Sequence, residues 1–125
     1  MSAWVNVCAE GDLQPNSGVC ALVAGRQIAI FYLVKEKAVY AIDNYDPIGK
    51  ANVLSRGLIG DVKGQLVVAS PLYKQHFNLQ TGTCLQDETV QVRAYPVRLQ
   101  KGKVEIQISE ESGAESSNNI EGVTA

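Results

Sequence analysis

The chain has one histidine, three cysteines without a Cys-x-x-Cys pair, and no apolar run longer than residues 28–34. Each scarcity excludes something. A lone His76 cannot supply a pair of imidazoles, and it makes a nucleophilic site only if a nucleophile folds against it. Cys84, Cys20 and several serines are available, but no local signature marks any of them. His76 is therefore read as structural or as a surface residue. Cys8, Cys20 and Cys84 are far apart and odd in number, which argues against a disulfide framework and against structural zinc. They are expected to be reduced, buried thiols of a cytosolic protein. Residues 28–34 are far too few to span a bilayer. Met1-Ser2-Ala3-Trp4-Val5 has neither a basic nor an apolar region of the kind that opens a signal peptide. The net charge of −2 gives no reason to expect nucleic acid or a charged membrane as a partner.

What the chain does have is short segments rich in Val, Ile, Tyr and Phe. Residues 4–8, 19–23, 27–34, 38–42, 66–69, 95–99 and 104–108 read as strands. Val104, Ile106 and Ile108 alternate with Glu105 and Gln107, the period of a half-buried strand. Ala24-Gly25, Lys35-Glu36-Lys37, Lys63-Gly64, Thr81-Gly82 and Lys101-Gly102 punctuate the runs, and such short connections suit antiparallel hairpins. No stretch of 12 residues keeps a helical apolar period. A turn or two of helix is expected near residues 50–54, and residues 87–92 are ambiguous, with a short strand as the reading. Gly57-Leu58-Ile59-Gly60 is too sparse to cradle a phosphate and reads as turns around a short strand. The pattern is that of an all-β antiparallel sandwich or barrel, with one longer excursion between Ile42 and Leu66.

At 125 residues the chain is expected to form one domain. Residues 1–108 are assigned to it. Residues 109–125 carry Glu110, Glu111, Glu115 and Glu121, no Lys or Arg, and almost no bulky apolar side chain. Such a segment cannot bury enough surface to offset its ordering entropy, and it is expected to be a disordered acidic tail. Asp43 with Asp46, and Asp87 with Glu88, could in principle do acid–base work, but carboxylates so placed usually support turns.

Two segments stand out. One is Ala41-Ile42-Asp43-Asn44-Tyr45-Asp46-Pro47-Ile48-Gly49. The other is Ser70-Pro71-Leu72-Tyr73-Lys74-Gln75-His76-Phe77-Asn78-Leu79-Gln80-Thr81-Gly82. They resemble the two ligand loops of a Rieske domain, which has Cys-Pro-His in the first loop. Its second loop has Cys-Pro-x-His, then a phenylalanine and a Thr-Gly turn. Laid on that pattern, Asp46 and Ile48 stand where the first Cys and His would be. Ser70 and Tyr73 stand in place of the second pair. Pro47, Pro71, Phe77, Thr81 and Gly82 are kept. A Rieske centre needs two thiolates on one iron and two imidazoles on the other. Ile48 has no donor atom, the Ser70 hydroxyl does not ionise, and an unperturbed tyrosine titrates near 10. One carboxylate does not hold a diiron cluster, so no 2Fe–2S centre and no other metal site is expected.

The likeness extends further. Trp4, the segments Val19-Cys20-Ala21-Leu22-Val23, Gln27-Ile28-Ala29-Ile30-Phe31 and Val39-Tyr40-Ala41-Ile42-Asp43-Asn44, and the run Asp46-Pro47-Ile48-Gly49-Lys50-Ala51-Asn52-Val53-Leu54-Ser55-Arg56-Gly57 resemble the small subunits of assimilatory NAD(P)H-dependent nitrite reductase. The 21 residues between Ile48 and Ser70 exceed the spacing of a typical cluster domain, which fits a released ligand constraint.

The resemblance implies an antiparallel β sandwich of Rieske topology without its cluster, with the two loops side by side at one end. It also implies a cytosolic complex that reduces nitrite to ammonium. There the large catalytic subunit holds FAD, a 4Fe–4S cluster and siroheme, and the small subunit is a non-catalytic accessory. A Rieske-type ferredoxin of a dioxygenase system and a free-standing β binding module are the alternatives. Ile48, Leu72 and Tyr73 are expected to turn into the space the cluster would fill. Lys50, Arg56, Lys74, Gln75 and His76 are the residues expected to meet the partner.

Overall fold

The computed structural model describes residues 2–109. Twelve strands follow in chain order: β1 (Ser2–Ala9), β2 (Ser17–Val23), β3 (Arg26–Leu33), β4 (Ala38–Asp43), β5 (Tyr45–Asp46), β6 (Ala51–Asn52), β7 (Leu58–Val62), β8 (Gln65–Ala69), β9 (His76–Asn78), β10 (Ala94–Tyr95), β11 (Val97–Gln100) and β12 (Lys103–Ser109). All named pairings are antiparallel. The first sheet has the order β1-β12-β11, the second β10-β4-β3-β2 and the third β7-β8-β9, while β5 and β6 form a two-stranded ribbon. The proposed tail lies outside the described residues except for Ser109, which pairs with Ser2 and so ends the first sheet.

Three hairpins turn as the dipeptides predict. Ala24 and Gly25 join β2 to β3, Lys63 and Gly64 join β7 to β8, and Lys101 and Gly102 join β11 to β12. In each pair both residues have positive φ, from 51° to 87°. That is the twist-matched two-residue turn, which glycine enters without steric cost at its second position.

The second sheet lies between the other two, and its strand β3 is buried on both faces. Ile28 and Ile30 enter a core shared with Val104, Ile106 and Ile108 of the first sheet. Ala29, Phe31 and Leu33, pointing the other way, enter a second core with Leu54, Val68, Phe77, Leu79, Cys84 and Val92. This explains why 28–34 is a continuous apolar run rather than an alternating one: β3 has no solvent face. On β12 the expected alternation holds, with Val104, Ile106 and Ile108 buried.

Several local expectations change. The segment expected to be helical near residues 50–54 is the strand β6 followed by a short 3-10 turn, Leu54–Arg56. Residues 95–99 divide into β10 and β11 around Pro96, which has no N–H for a ladder. Residues 87–92 are mostly turn, with Asp87 Oδ1 accepting from Thr89 N and Oγ1. The cysteines also differ. Cys84 is buried and Cys8 half-buried, but Cys20 is exposed, because it sits on the outward face of the edge strand β2.

Candidate functional site

The two segments singled out in the sequence meet at one end of the molecule, built on the same plan. In the first loop Lys50 N donates to Asp46 O at 2.6 Å, and in the second Lys74 N donates to Ser70 O at 3.0 Å. Each loop thus closes over a proline with a lysine at its end, and both lysines have positive φ, 59° and 65°. Asp46 organises the first loop: its Oδ1 accepts from Ile48 N at 2.8 Å and Gly49 N at 3.0 Å. An aspartate before Pro47 does this because its short side chain reaches its own backbone two and three residues on. The Ser70 hydroxyl oxygen similarly accepts a long bond from Leu72 N, 3.3 Å.

Between the loops, the Ser70 hydroxyl donates to Asp46 Oδ2 at 2.5 Å. Both side chains are fully buried. These are the positions that correspond to the two cysteines of a Rieske centre. A hydroxyl–carboxylate hydrogen bond therefore joins the loops where thiolates would hold an iron. The donor set does not suit a 2Fe–2S cluster. Asp46 is engaged on both oxygens, Ile48 has nothing to coordinate with, and Tyr73 is 65% exposed. Among the described residues no three His, Cys, Asp or Glu side chains gather where they could hold a metal ion.

The expected plug is correspondingly revised. Ile48 is half-buried against the second core, but Leu72 and Tyr73 are exposed, at 44% and 65%. The Asp46–Ser70 pair is compact and closes the interior without them. Leu72 lies across Gly49: a Cβ there would come 2.5 Å from Leu72 Cδ1, the far end of an exposed side chain.

The residues expected to meet a partner divide in two. Lys50, Arg56 and Lys74 are exposed. Arg56 and Lys74 flank one cleft of about 130 Å³, whose other walls are Gly57, Leu58, Ala69, Ser70 and Pro71. Gln75 and His76 are half-buried instead. The Gln75 side-chain oxygen is buried without a hydrogen-bond partner. His76 belongs to β9, and its Nδ1 pairs with Gln86 Nε2 at 3.0 Å. Gln86 Oε1 also accepts from Cys84 Sγ at 3.8 Å. Cys84 is buried in the second core. Partial burial pushes the Cys20 thiol above its ordinary pKa, and burial followed by the Asp12 charge does the same for Cys8. Neither Cys8 nor Cys20 is therefore an activated thiolate.

Asn44 lies within the first loop segment but was assigned no role from the sequence, yet it holds the turn that carries Arg56. It is buried, its Oδ1 accepts from Ser55 N at 2.7 Å, its backbone oxygen accepts from Leu54 N, and its Nδ2 donates to Gln27 Oε1 at 3.0 Å. The 3-10 turn is thereby pinned to the start of β3. Beside it, Tyr95 Oη donates to Asp43 Oδ1 at 2.6 Å and accepts from Arg26 Nε at 3.0 Å. Burial, reinforced by the Asp43 charge, pushes the Tyr95 phenol up to about 12. This group is an internal brace between β3, β4 and β10.

Comparison with known proteins agrees with this geometry. The Rieske-like [2Fe-2S] domain family matches residues 3–107. A nitrite reductase (NADH) small subunit of Salmonella typhimurium is 48% identical over 106 residues, covering 85% of this chain and 98% of that one. The NMR structure of the E. coli protein NirD aligns with a TM-score of 0.80 at 44% identity, covering 87% of this chain and 99% of the other. A nitrite reductase [NAD(P)H] large subunit of Klebsiella oxytoca is 43% identical over 101 residues, which are 81% of this chain but 10% of that one.

Proposed function

The chain belongs to the Rieske-like [2Fe-2S] domain family and, within it, to the nitrite reductase small subunits, and from that premise we propose that it is an accessory subunit that binds the large subunit of a nitrite reductase and carries no redox centre itself. The Asp46–Ser70 hydrogen bond carries the second half of this reading, because it fills the two thiolate positions with oxygen groups that are bonded to each other and are not the thiolates a Rieske cluster needs. The Klebsiella relative supports the first half: there a domain like this one is part of the large subunit's own polypeptide.

In this reading FAD, siroheme and a 4Fe–4S cluster belong to the large subunit, and electrons reach nitrite without passing through this chain. The complex is assigned to the cytoplasm. Among the described residues no helix is long and apolar enough to cross a membrane. The end formed by the two loops is the proposed contact, with Lys50, Arg56, Lys74, Gln75 and His76 on or beside it.

The test is reconstitution. The purified chain should be colourless and free of iron and sulfide, and it should co-elute with the large subunit. Adding it should raise the stability or the NAD(P)H-dependent nitrite reduction of that subunit. A stoichiometric 2Fe–2S absorption would instead make it a ferredoxin. Failure to associate would leave a free-standing β module. Charge reversal, Arg56→Glu with Lys74→Glu, examines the contact. If association and nitrite reduction both survive it, the loop end is not where the large subunit docks.

A further inference from the structure

Accepting the accessory-subunit reading above, on which this inference rests, we infer that the docking contact is apolar at its centre. Leu72 and Tyr73, with Leu58 beside them, are its anchors. Lys50, Arg56 and Lys74 form a basic rim. The occupant is an apolar depression on the large subunit bordered by Asp or Glu carboxylates.

Three observations carry this. First, apolar exposure concentrates here. Leu58 is 76% exposed, Tyr73 65% and Leu72 44%, and they lie on the second loop and on the strand end next to it. Leu58 and Pro71 share the cleft flanked by Arg56 and Lys74, and Leu72 packs over Gly49, the neighbour of Lys50. Of the other exposed large side chains, Trp4 is covered by the Arg98 guanidinium at 4.1 Å, while Leu22, 73% exposed, lies on the edge strand β2.

Second, the charge is of one sign. Asp46 is the one carboxylate of residues 46–50 and 70–74. It is fully buried and bound to Ile48 N, Gly49 N and Ser70 Oγ. It therefore cannot neutralise the three cations at the surface. An apolar centre with a charged rim is the usual anatomy of a specific protein contact, and the rim sets which partner fits.

Third, the interior has no need of these side chains. The Asp46–Ser70 pair closes the gap between the loops, so Leu72 and Tyr73 are held outward on a framework tied by Lys50 N–Asp46 O and Lys74 N–Ser70 O. Anchors presented on a preordered loop lose little conformational entropy on binding.

The experiment measures the affinity of the purified large subunit for the wild-type chain and for Leu72→Asp/Tyr73→Asp, Tyr73→Ala and Val34→Asp, with each variant's thermal midpoint measured alongside. Val34 is exposed at the opposite end of β3 and serves as the control. The double variant is expected to weaken binding at least ~30-fold and Tyr73→Ala about 10-fold, in the range of interface hot spots. Val34→Asp should match wild type. Lys50→Ala, Arg56→Ala and Lys74→Ala should chiefly slow association and flatten its salt dependence. Unchanged affinity of the double variant and of Tyr73→Ala, with wild-type binding intact, would overturn the anchor assignment alone. An equal loss in Val34→Asp would also overturn it. Absence of any wild-type binding would overturn the accessory-subunit reading itself.

Discussion

The Ser70 hydroxyl donates to the Asp46 carboxylate at 2.5 Å, joining two loops that are 24 residues apart in the chain. This one bond stands where a cluster would cross-link the same loops. A buried hydrogen bond to a charged acceptor contributes about 1.5–3 kcal/mol, and an unpaired buried partner costs more than the bond alone is worth.

Ser70→Ala should therefore destabilise the domain by about 1–3 kcal/mol. Asp46→Ala should cost roughly 3 kcal/mol or more, because Ile48 N, Gly49 N and the Ser70 hydroxyl all lose their acceptor. The double variant should fall short of the sum by about 1–3 kcal/mol, the coupling expected of a direct contact. Urea unfolding of the four proteins reads this out. Strict additivity would show that the two loops hold together without the bond.

Gly82→Ala should be among the more damaging single-methyl changes in the molecule. Gly82 has φ +81°, and a Cβ there would sit 2.0 Å from the Val92 carbonyl oxygen. Strain in the left-handed region and a clash with backbone add, so a loss of about 3 kcal/mol or more is expected by thermal or chemical denaturation. Gly64→Ala has φ +87° but open space around the Cβ, and it should cost only about 1 kcal/mol.

Phe77→Ala should cost about 3–5 kcal/mol. The ring is fully buried in the core between the second and third sheets, and β9 is only three residues long, so little else holds it there. Hydrogen exchange should show β9 and its neighbour β8 losing protection before the first sheet does.

Alkaline stability should depend on Tyr95. An unfolded tyrosine ionises near 10, whereas the folded phenol is pushed up to about 12, first by burial and then by Asp43. Between those values the folded chain keeps a proton that the unfolded chain loses. The contribution is complete below about pH 10 and disappears as the pH rises through about 12. It amounts to about 2–3 kcal/mol. Tyr95→Phe should be less stable than wild type at neutral pH, since it loses the bonds to Asp43 and Arg26. The gap should close over that alkaline window when urea midpoints are compared. A constant gap would place the phenol's ionisation elsewhere.

Much of the fold was legible because local rules decide it. The Ala24-Gly25, Lys63-Gly64 and Lys101-Gly102 turns need only positive φ at adjacent positions, and Val104, Ile106 and Ile108 need only the pleat. The strands that escaped, β5, β6 and β9, are two or three residues long. Such segments are strands because of what they pair with. Cys20 was misread for a related reason: a thiol on a strand is buried or not according to whether another sheet covers that face.

At the loop end, the residue types alone determined that two thiolates and two imidazoles were missing, since Asp46, Ile48, Ser70 and Tyr73 cannot reproduce that donor set in any conformation. The tertiary structure decided what replaced them. Whether Tyr73 or a hydrogen bond would fill the interior depended on how near the two loops come. They come near enough for Ser70 to reach Asp46, which turned Leu72 and Tyr73 outward. Chemistry belongs to each side chain and is present in the sequence. The distance between residues far apart in the chain is set by the sheets that carry them, here a second sheet whose strand β3 is packed on both faces, and it exists only once the chain has folded.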